Sequence, residues 1–195
     1  LLILWIHGET ARKGNLAKST SKLWNDFSTQ KECDILTESI GGKDRMISEI
    51  SNSQRTGYTA SKIFHMQRNE IELFNSTYHF MLVHNYVNYF LTGGVFAMEE
   101  GDASGTGLWD PVKKKWSESL TSIISKDLLS KLPPVRSSKE SIGNISKELV
   151  KEYGFNSTCR IDAGSGDNMY GAIGTGNVDP GILTISLGTS GTAYT

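Results

Sequence analysis

An aspartate in a glycine-rich stretch is the residue of this sequence best placed to do chemistry. Asp167 lies in the segment 161–174, where glycines stand at positions 164, 166, 171 and 174. Glycine reaches backbone angles that residues with a Cβ avoid, so this segment can present a carboxylate on a tight turn. We predict that a strand ends at Ala163 and that a helix starts at Asp167 and Asn168. A carboxylate there can accept the proton of a hydroxyl group that attacks phosphorus.

The residues alone leave two other interpretations of Asp167 open. An aspartate at a helix start can simply cap the first amides, a contact worth about 0.5–2 kcal/mol. A dinucleotide-binding fingerprint is a weaker alternative, because its third glycine would have to stand where Met169 does. The proton-acceptor hypothesis expects an open α/β sheet whose strand end faces a ligand crevice, with Gly171 and Ala172 letting the helix approach that sheet closely.

A second glycine turn follows at 187–191. Gly188 and Gly191 free the backbone amides to point inward, and the hydroxyls of Thr189 and Ser190 add donors. Such a turn can bind a phosphate group as an anion nest. The alternative is an ordinary hairpin turn between two strands.

The apolar pattern supplies the elements that must position these turns. Strands are predicted at 1–6, 78–83, 159–162 and 182–187, and helices at 30–39, 43–50, 60–66, 69–74, 84–91, 117–124, 126–132 and 146–153. Ser28 or Thr29 is expected to cap the helix at 30–39. The segment 97–107 is predicted to be a loop with Asp102 in a turn, and Pro133-Pro134 to be the seam between subdomains. Strands that alternate with helices indicate an α/β fold.

Composition excludes several classes of protein. Apolar residues make up 37% and charged residues 21% of the 195, which favours a packed core over disorder. The net charge is −1 with Lys and Arg spread along the chain, so we expect no nucleic-acid partner. The longest apolar run, 1–6, is too short to span a membrane. Cys33 and Cys159 have no metal-site spacing, so we expect no metal ligands and a cytoplasmic protein. Both ends of the sequence look cut through structure, and we expect a piece of a longer protein.

Several segments together resemble the FGGY carbohydrate kinases, and among them the xylulokinases. The segments that carry the resemblance are His7-Gly8, Leu23-Trp24-Asn25-Asp26, Gly57-Tyr58-Thr59-Ala60-Ser61-Lys62, Gly101-Asp102-Ala103-Ser104-Gly105-Thr106, Gly164-Ser165-Gly166-Asp167-Asn168 and Leu187-Gly188-Thr189-Ser190-Gly191. The third segment is similar to the family's Gly-Phe-Thr-Ala-Pro-Lys. The stretch before His7 departs from the family's Ser-Gly-Gln-Met, and Ile6 stands in place of the methionine.

The resemblance implies a role for each matching position. Asp167 would be the catalytic base on the sugar hydroxyl, and Asn168 beside it would contact the sugar. The other residues implied on the sugar side are Ile6, His7, Trp24, Asn25, Asp26 and Arg55. Gly188, Thr189 and Ser190 would contact the phosphates of ATP. From the residues alone, His7 could equally be a loop histidine and Trp24 a simple core residue.

The resemblance also implies a fold and an activity. The fold would be the first, sugar-binding domain of a ribonuclease-H-like (actin-like ATPase) pair, which residues 1–195 cover incompletely, with the C-terminal nucleotide-binding domain absent. The activity would be phosphorylation of D-xylulose to xylulose 5-phosphate by ATP with Mg²⁺, in a full-length form that allows a homodimer. One alternative is a related kinase for glycerol, gluconate or ribulose. Another is a truncated chain that binds sugar without catalysis.

Overall fold

The computed structural model describes residues 20–188 and 191–195, together with the main chain of 3–6. The chain divides into two compact units, Leu1–Ala163 and Gly164–Thr195. The seam expected at Pro133-Pro134 is therefore wrong, and that segment lies inside the first unit. Its carbonyl at Pro133 accepts a hydrogen bond of 2.9 Å from the buried indole Nε1 of Trp116, which holds it there.

Helices make up much of the first unit. They are α1 (Gln30–Ser39), α2 (Lys43–Ile50), α3 (Thr59–Asn69), α4 (Ile71–Ser76), α5 (Val83–Thr92), α6 (Glu100–Gly105), α7 (Glu118–Ile124) and α8 (Lys147–Tyr153), with a 3-10 helix at Leu128–Lys131. The predicted helices at 30–39 and 43–50 are confirmed at both ends. At 126–132 only the tighter 3-10 helix forms. The capping expected for α1 is wrong, because the Thr29 hydroxyl bonds the Ser61 hydroxyl at 2.9 Å instead of the helix amides.

The prediction of a loop at 97–107 is also wrong, because this segment contains a short strand and α6. The side chain of Glu99 accepts hydrogen bonds from the amides of Gly101, at 2.8 Å, and Asp102, which satisfies the helix start. Glutamate is not one of the usual capping residues, so the local pattern did not indicate it. Asp102 lies within the helix and not in a turn.

The strands are short and form two-stranded pairs. They are β1 (Ile3–Ile6), β2 (His79–Leu82), β3 (Met98–Glu99), β4 (Trp109–Asp110), β5 (Lys115–Trp116), β6 (Val135–Arg136), β7 (Ser141–Asn144), β8 (Arg160–Asp162), β9 (Thr184–Leu187) and β10 (Gly191–Tyr194). Among the described strands, β3 and β6 pair in parallel, and the pairs β1–β2, β4–β5, β7–β8 and β9–β10 are antiparallel. The expected open sheet before Asp167 is not observed there, because β8 pairs antiparallel with β7.

The core of the first unit lies among its helices. Leu36, Met46, Ile63 and Leu120 come from four different helices, and each has 0% of its surface exposed. Burying apolar surface contributes roughly 25 cal/mol per Å², so this cluster stabilises the packing of α1, α2, α3 and α7. The core thereby fixes α3, whose first residues reach the loop at 23–26.

The second unit consists of one helix and one hairpin. Helix α9 (Asp167–Gly174) is followed by β9 and β10, which pair from Leu187↔Gly191 to Thr184↔Tyr194. The hydroxyls of Thr175 and Thr184 lie 3.4 Å apart, and Asn177 Nδ2 donates to the Tyr194 carbonyl at 3.1 Å. These contacts join the end of α9 to the open end of the hairpin. None of the helices in the described ranges is long and apolar enough to cross a membrane.

Candidate active site

The loop at 23–26 presents side chains to solvent while its main chain is held. Trp24 has 52% of its surface exposed, and Asn25 is also exposed. The alternative that Trp24 is a core residue is therefore wrong. The loop turns through a hydrogen bond of 3.0 Å from the Asp26 amide to the Leu23 carbonyl. An exposed indole beside an exposed amide is suited to packing on one face of a polar ligand while hydrogen-bonding its edge.

The carboxylate of Asp26 is half-buried and strongly hydrogen-bonded. Its Oδ1 accepts from the Ser28 hydroxyl at 2.5 Å and from the Ser28 amide at 2.9 Å, and Lys22 Nζ lies 3.4 Å from Oδ2. The Ser28 hydrogen bonds, with help from the Lys22 charge, lower the pKa of Asp26 to about 2. Asp26 is therefore ionised at neutral pH and can accept hydrogen bonds but cannot donate a proton.

The segment 55–62 contacts the main chain of this loop and holds it in place. Lys62 Nζ donates to the Leu23 carbonyl at 2.6 Å and lies 3.4 Å from the Gly57 carbonyl. A Cβ added at Gly57 would lie 2.8 Å from the Trp24 carbonyl oxygen, so only glycine fits there. Arg55 is exposed and lies two residues before Gly57. The structure thus brings Trp24, Asn25 and Asp26 together with the segment that carries Arg55.

Sequence reasoning gave Lys62 no role. It is the last residue of a segment that resembles the family pattern. The sequence offered a partial signal, because Lys62 precedes the apolar Met66 by four residues and so shares its face of the helix, which is buried in the structure. A lysine on the buried row of a helix indicates a specific polar partner.

Asp167 is the first residue of α9, and its carboxylate remains accessible. The residue that caps the helix is Gly166, with φ −66° and ψ 152°. The alternative that Asp167 is an N-cap is therefore wrong. Its Oδ1 accepts a hydrogen bond of 2.8 Å from the amide of Asn168, and its Oδ2 accepts none from a described residue. Asp167 and Asn168 are both exposed.

The expected close approach of α9 at Gly171 is not observed. A Cβ added there would meet no described atom within 4 Å. The lack of a side chain at Gly171 therefore does not allow a closer contact with any described residue.

The two strands that flank the second glycine turn pair as a hairpin. Gly188 is an exposed bend directly after β9, and the chain resumes at Gly191 in β10. Thr189 and Ser190 lie outside the described residues. The contacts between α9 and the hairpin lie at Thr175 and Asn177, just after the last residue of α9. Asp167 lies at the first residue of α9, and Gly188 lies at the turn between β9 and β10.

The two remaining predicted site residues are Ile6 and His7. The main chain of Ile6 pairs with that of His79 in the β1–β2 ladder. His7 lies outside the described residues.

A buried polar network lies elsewhere in the first unit. His84 Nδ1 lies 2.8 Å from Asp102 Oδ2, and the hydrogen bond that the carboxylate of Asp102 accepts raises the pKa of His84 against the effect of burial. Burial raises the pKa of the neighbouring carboxyl group of Glu99. Asn88 Nδ2 donates to the carbonyl of Ala163 at 3.0 Å, which ties α5 to the last residue of the unit.

A protein cage for a metal ion is not found among the described residues. No group of three or more His, Cys, Asp or Glu side chains converges in them. Mg²⁺ in kinases is usually bound by one or two carboxylates together with substrate phosphates, so a closed protein cage is not required.

These segments match a family of known proteins. A family model described as the N-terminal domain of the FGGY family of carbohydrate kinases matches residues 17–174, well over half of the chain. The chain belongs to this family. The matched range includes the loop at 23–26, the segment 55–62 and Asp167. The FGGY resemblance predicted from the sequence is confirmed.

Curated relatives share the same region. The xylulose kinase of Haemophilus influenzae is 43% identical over 176 residues, which are 89% of this chain and 36% of the relative. The xylulose kinase of Escherichia coli is 34% identical over 174 residues, 88% of this chain and 34% of the relative. The FGGY chain thus spans about a third of the length of these relatives.

Solved structures confirm the fold. A xyloylose kinase from Brucella ovis superposes with a TM-score of 0.86 at 25% identity, and the match covers 98% of this chain and 37% of that kinase. Plasmodium falciparum glycerol kinase with ADP gives a TM-score of 0.82 at 21% identity, with the same coverage of 98% and 37%. The predicted α/β, actin-like ATPase fold of the FGGY kinases is confirmed.

Proposed function

We propose that this chain forms the sugar-binding part of an ATP-dependent kinase that converts D-xylulose to xylulose 5-phosphate. The observation that carries the proposal is the state of Asp167 within a chain of the FGGY family. Its carboxylate is exposed at the start of α9, and Oδ2 accepts no hydrogen bond from a described residue. A carboxylate with a free oxygen can accept a proton from a substrate hydroxyl.

The reaction is a phosphoryl transfer in which Asp167 acts as general base. The O–H bond of the terminal sugar hydroxyl breaks as its oxygen attacks the γ-phosphorus of ATP. The bond between that phosphorus and the bridging oxygen of ADP breaks at the same time. The proton moves to Asp167 Oδ2 and is later released to solvent. The amide of Asn168 fixes the carboxylate through Oδ1, and its side chain would contact the sugar.

The loop at 23–26 supplies the sugar side of the proposed site. Sugar hydroxyls donate hydrogen bonds, and the ionised Asp26 and the Asn25 side chain can accept them. The exposed face of Trp24 can pack against the apolar C–H face of a sugar. We assign Arg55, Ile6 and His7 to the same side on the family resemblance.

The hairpin turn supplies the proposed phosphate side. Gly188, Thr189 and Ser190 would donate main-chain and hydroxyl hydrogen bonds to the phosphates. We propose that Mg²⁺ enters as part of the substrate MgATP, where it neutralises charge on the phosphates. This arrangement is compatible with the described residues, because the phosphates can supply oxygen ligands that these residues do not group together, and we assign no protein ligand to the ion.

A second substrate class is supported by one observation. Gluconate kinase from Lactobacillus acidophilus gives a TM-score of 0.84 at 20% identity, close to the value for the Brucella ovis protein. The shared fold therefore accommodates more than one sugar. The curated relatives named above are xylulose kinases, and this favours D-xylulose over gluconate or glycerol.

The test is a substrate panel with a matched pair of variants. The protein at its full natural length is assayed with MgATP and D-xylulose, ribulose, gluconate and glycerol, with ADP release as the readout. We expect the highest kcat/KM with D-xylulose. Asp167→Asn should reduce kcat by about 10²–10⁴-fold, the usual contribution of general-base catalysis. Asp179→Asn removes another exposed acid from the same unit and should leave kcat unchanged. Near-wild-type turnover by Asp167→Asn would refute its role as base.

The stability of the same variants separates catalysis from folding. The hydrogen bond that Asp167 accepts from the Asn168 amide is exposed and can also be accepted by an asparagine side chain, so Asp167→Asn should lose only the interaction of the charge with the helix start, less than about 1 kcal/mol of the free energy of unfolding. A large loss of stability would show that the kinetic effect is structural.

A further inference from the structure

Lys62 carries a buried ammonium group whose described partners are main-chain carbonyls. Only 1% of its surface is exposed, and it is among the largest fully buried side chains of the chain. Its Nζ donates to the Leu23 carbonyl at 2.6 Å and lies 3.4 Å from that of Gly57. Among the described residues, no carboxylate lies within ion-pair distance. Burying an ammonium group costs several kcal/mol, so a lysine here indicates a specific requirement for its charge and donors.

The surroundings show the electrostatic balance at this lysine. Burial lowers the pKa of Lys62, and the negative charge of Asp26 acts in the opposite direction. Asp26 belongs to the loop whose carbonyl Lys62 binds. The loop therefore supplies both the hydrogen-bond acceptor and the nearby charge that compensate for the burial of the lysine.

The segment 57–62 holds the main chain within the loop at 23–26 and again at Thr29, three residues after it. At the start, the Leu23 carbonyl accepts hydrogen bonds from Lys62 and from the Asp26 amide, and the Trp24 carbonyl lies against the main chain of Gly57. Three residues after the loop, the hydroxyl groups of Thr29 and Ser61 form a hydrogen bond of 2.9 Å. Between these points the side chains of Trp24 and Asn25 remain exposed. A fixed main chain that presents exposed side chains is the arrangement expected of a preorganised binding loop.

We propose that Lys62 is a positioning residue for sugar binding. Its buried ammonium fixes the main chain at Leu23 and so orients the exposed side chains of the loop toward the sugar. Lys62 itself does not contact the sugar. The proposal rests on the proposed function, because it takes the loop at 23–26 as the sugar side of the site.

The kinetic test compares three variants of the protein at its full natural length. Lys62→Met keeps the length of the side chain and removes its charge and donors. We expect it to raise the KM for the sugar by roughly tenfold to a hundredfold, the scale of loss from a small misplacement of binding groups. The KM for ATP should stay unchanged and kcat should change much less than the sugar KM. Lys31→Met makes the same substitution at an exposed site on α1 and should change neither constant.

A second measurement does not depend on sugar turnover. Lys22 precedes the loop, so trypsin cleavage after Lys22 reports whether the main chain at Leu23 is held. Without ligands, Lys62→Met should accelerate this cleavage at least severalfold relative to cleavage after the exposed Lys126, as followed by mass spectrometry. Gly57→Ala should act in the same direction, because its methyl group would displace the Trp24 carbonyl. It serves as the second variant if Lys62→Met does not fold.

The outcomes separate this inference from the proposed function. If the wild-type protein phosphorylates none of the sugars, the proposed function fails, whereas selective cleavage in Lys62→Met still shows that Lys62 holds the loop. An unchanged sugar KM together with unchanged cleavage at Lys22 in a folded Lys62→Met overturns the inference. Equal acceleration at Lys22 and Lys126 also overturns it, because the lysine would then support the whole fold and not the loop.

Discussion

Lys131 gives a stability prediction that can be worked out from its contacts. Its Nζ donates to the carbonyl of Thr77 at 2.6 Å and lies 3.3 Å and 3.4 Å from those of Phe74 and Asn75. These are carbonyls at the end of α4, where a helix leaves acceptors unpaired and concentrates negative partial charge. The ammonium also lies 5.3 Å from the centre of the Phe74 ring. Lys131 thus caps the helix and packs on its last buried aromatic residue.

The expected cost of Lys131→Met follows from these contacts. The short hydrogen bond from a charged donor is worth about 1.5–3 kcal/mol. The two long contacts and the favourable helix end add about 0.3–1 kcal/mol. Methionine removes the cost of burying the charge, which offsets part of the loss. We expect a net loss of about 2 kcal/mol, or a decrease in Tm of about 4–8 °C for a chain of this size.

The measurement is urea unfolding followed by far-UV circular dichroism. Lys126→Met removes an exposed lysine nearby and should change the free energy of unfolding by less than about 0.5 kcal/mol. Asp127→Asn tests the ion pair of 3.5 Å between Lys131 and the exposed Asp127, which should contribute less than about 1 kcal/mol. A loss in Lys131→Met no larger than in Lys126→Met would refute the capping argument.

Two further predictions concern protonation. Ser28→Ala should raise the pKa of Asp26 from about 2 toward its ordinary 3.8, measured by carbon-detected NMR titration; an unchanged titration curve would be inconsistent with the hydrogen-bond explanation. Since the folded-state pKa is lowered, Asp26 contributes stability above about pH 4 that is lost as the pH falls toward 2. His84 is the opposite case, because Asp102 raises its pKa. Its stabilising contribution is present below about pH 6.5 and is lost as the pH rises through the raised value. His84→Gln should therefore reduce the decrease of the unfolding free energy as the pH rises above about 6.5. Identical slopes of unfolding free energy against pH in the variant and the wild type would contradict this.

Local patterns predicted many elements of the first unit well. The helix at 30–39 has apolar residues on one face and is followed by Gly41-Gly42, so both of its ends were predictable. The Ser146 hydroxyl caps α8 by accepting a hydrogen bond from the Leu149 amide, and Gly154 ends the helix with φ 73°, so α8 lies within the predicted range 146–153. In these cases, the residues that determine the structure lie within a few positions of one another.

The features that the sequence did not reveal depend on contacts between distant positions. Lys62 and Leu23 are 39 residues apart in sequence, so helical spacing could place the lysine on the inward face of α3 but could not identify the carbonyl that it binds. The seam at Ala163 depends on which segments pack together and not on the prolines at 133 and 134. Spacing alone could not exclude Asp167 as the helix cap, because that depends on the backbone angles of Gly166. The family resemblance supplied the candidate site residues, but their exposure and partners required the structure.

The hydroxyl pair between Thr29 and Ser61 has a consequence for sequence divergence in this family. Proline, which stands at the position of Ser61 in the family pattern, fits the first turn of a helix but offers no hydroxyl. A chain with proline there would leave the Thr29 hydroxyl without this partner and available to the first amides of α1. The residues at 29 and 61 are therefore thermodynamically coupled, and the effect of replacing either one depends on the other. We expect the two positions to change together among relatives, with the same loop retained by two different local solutions.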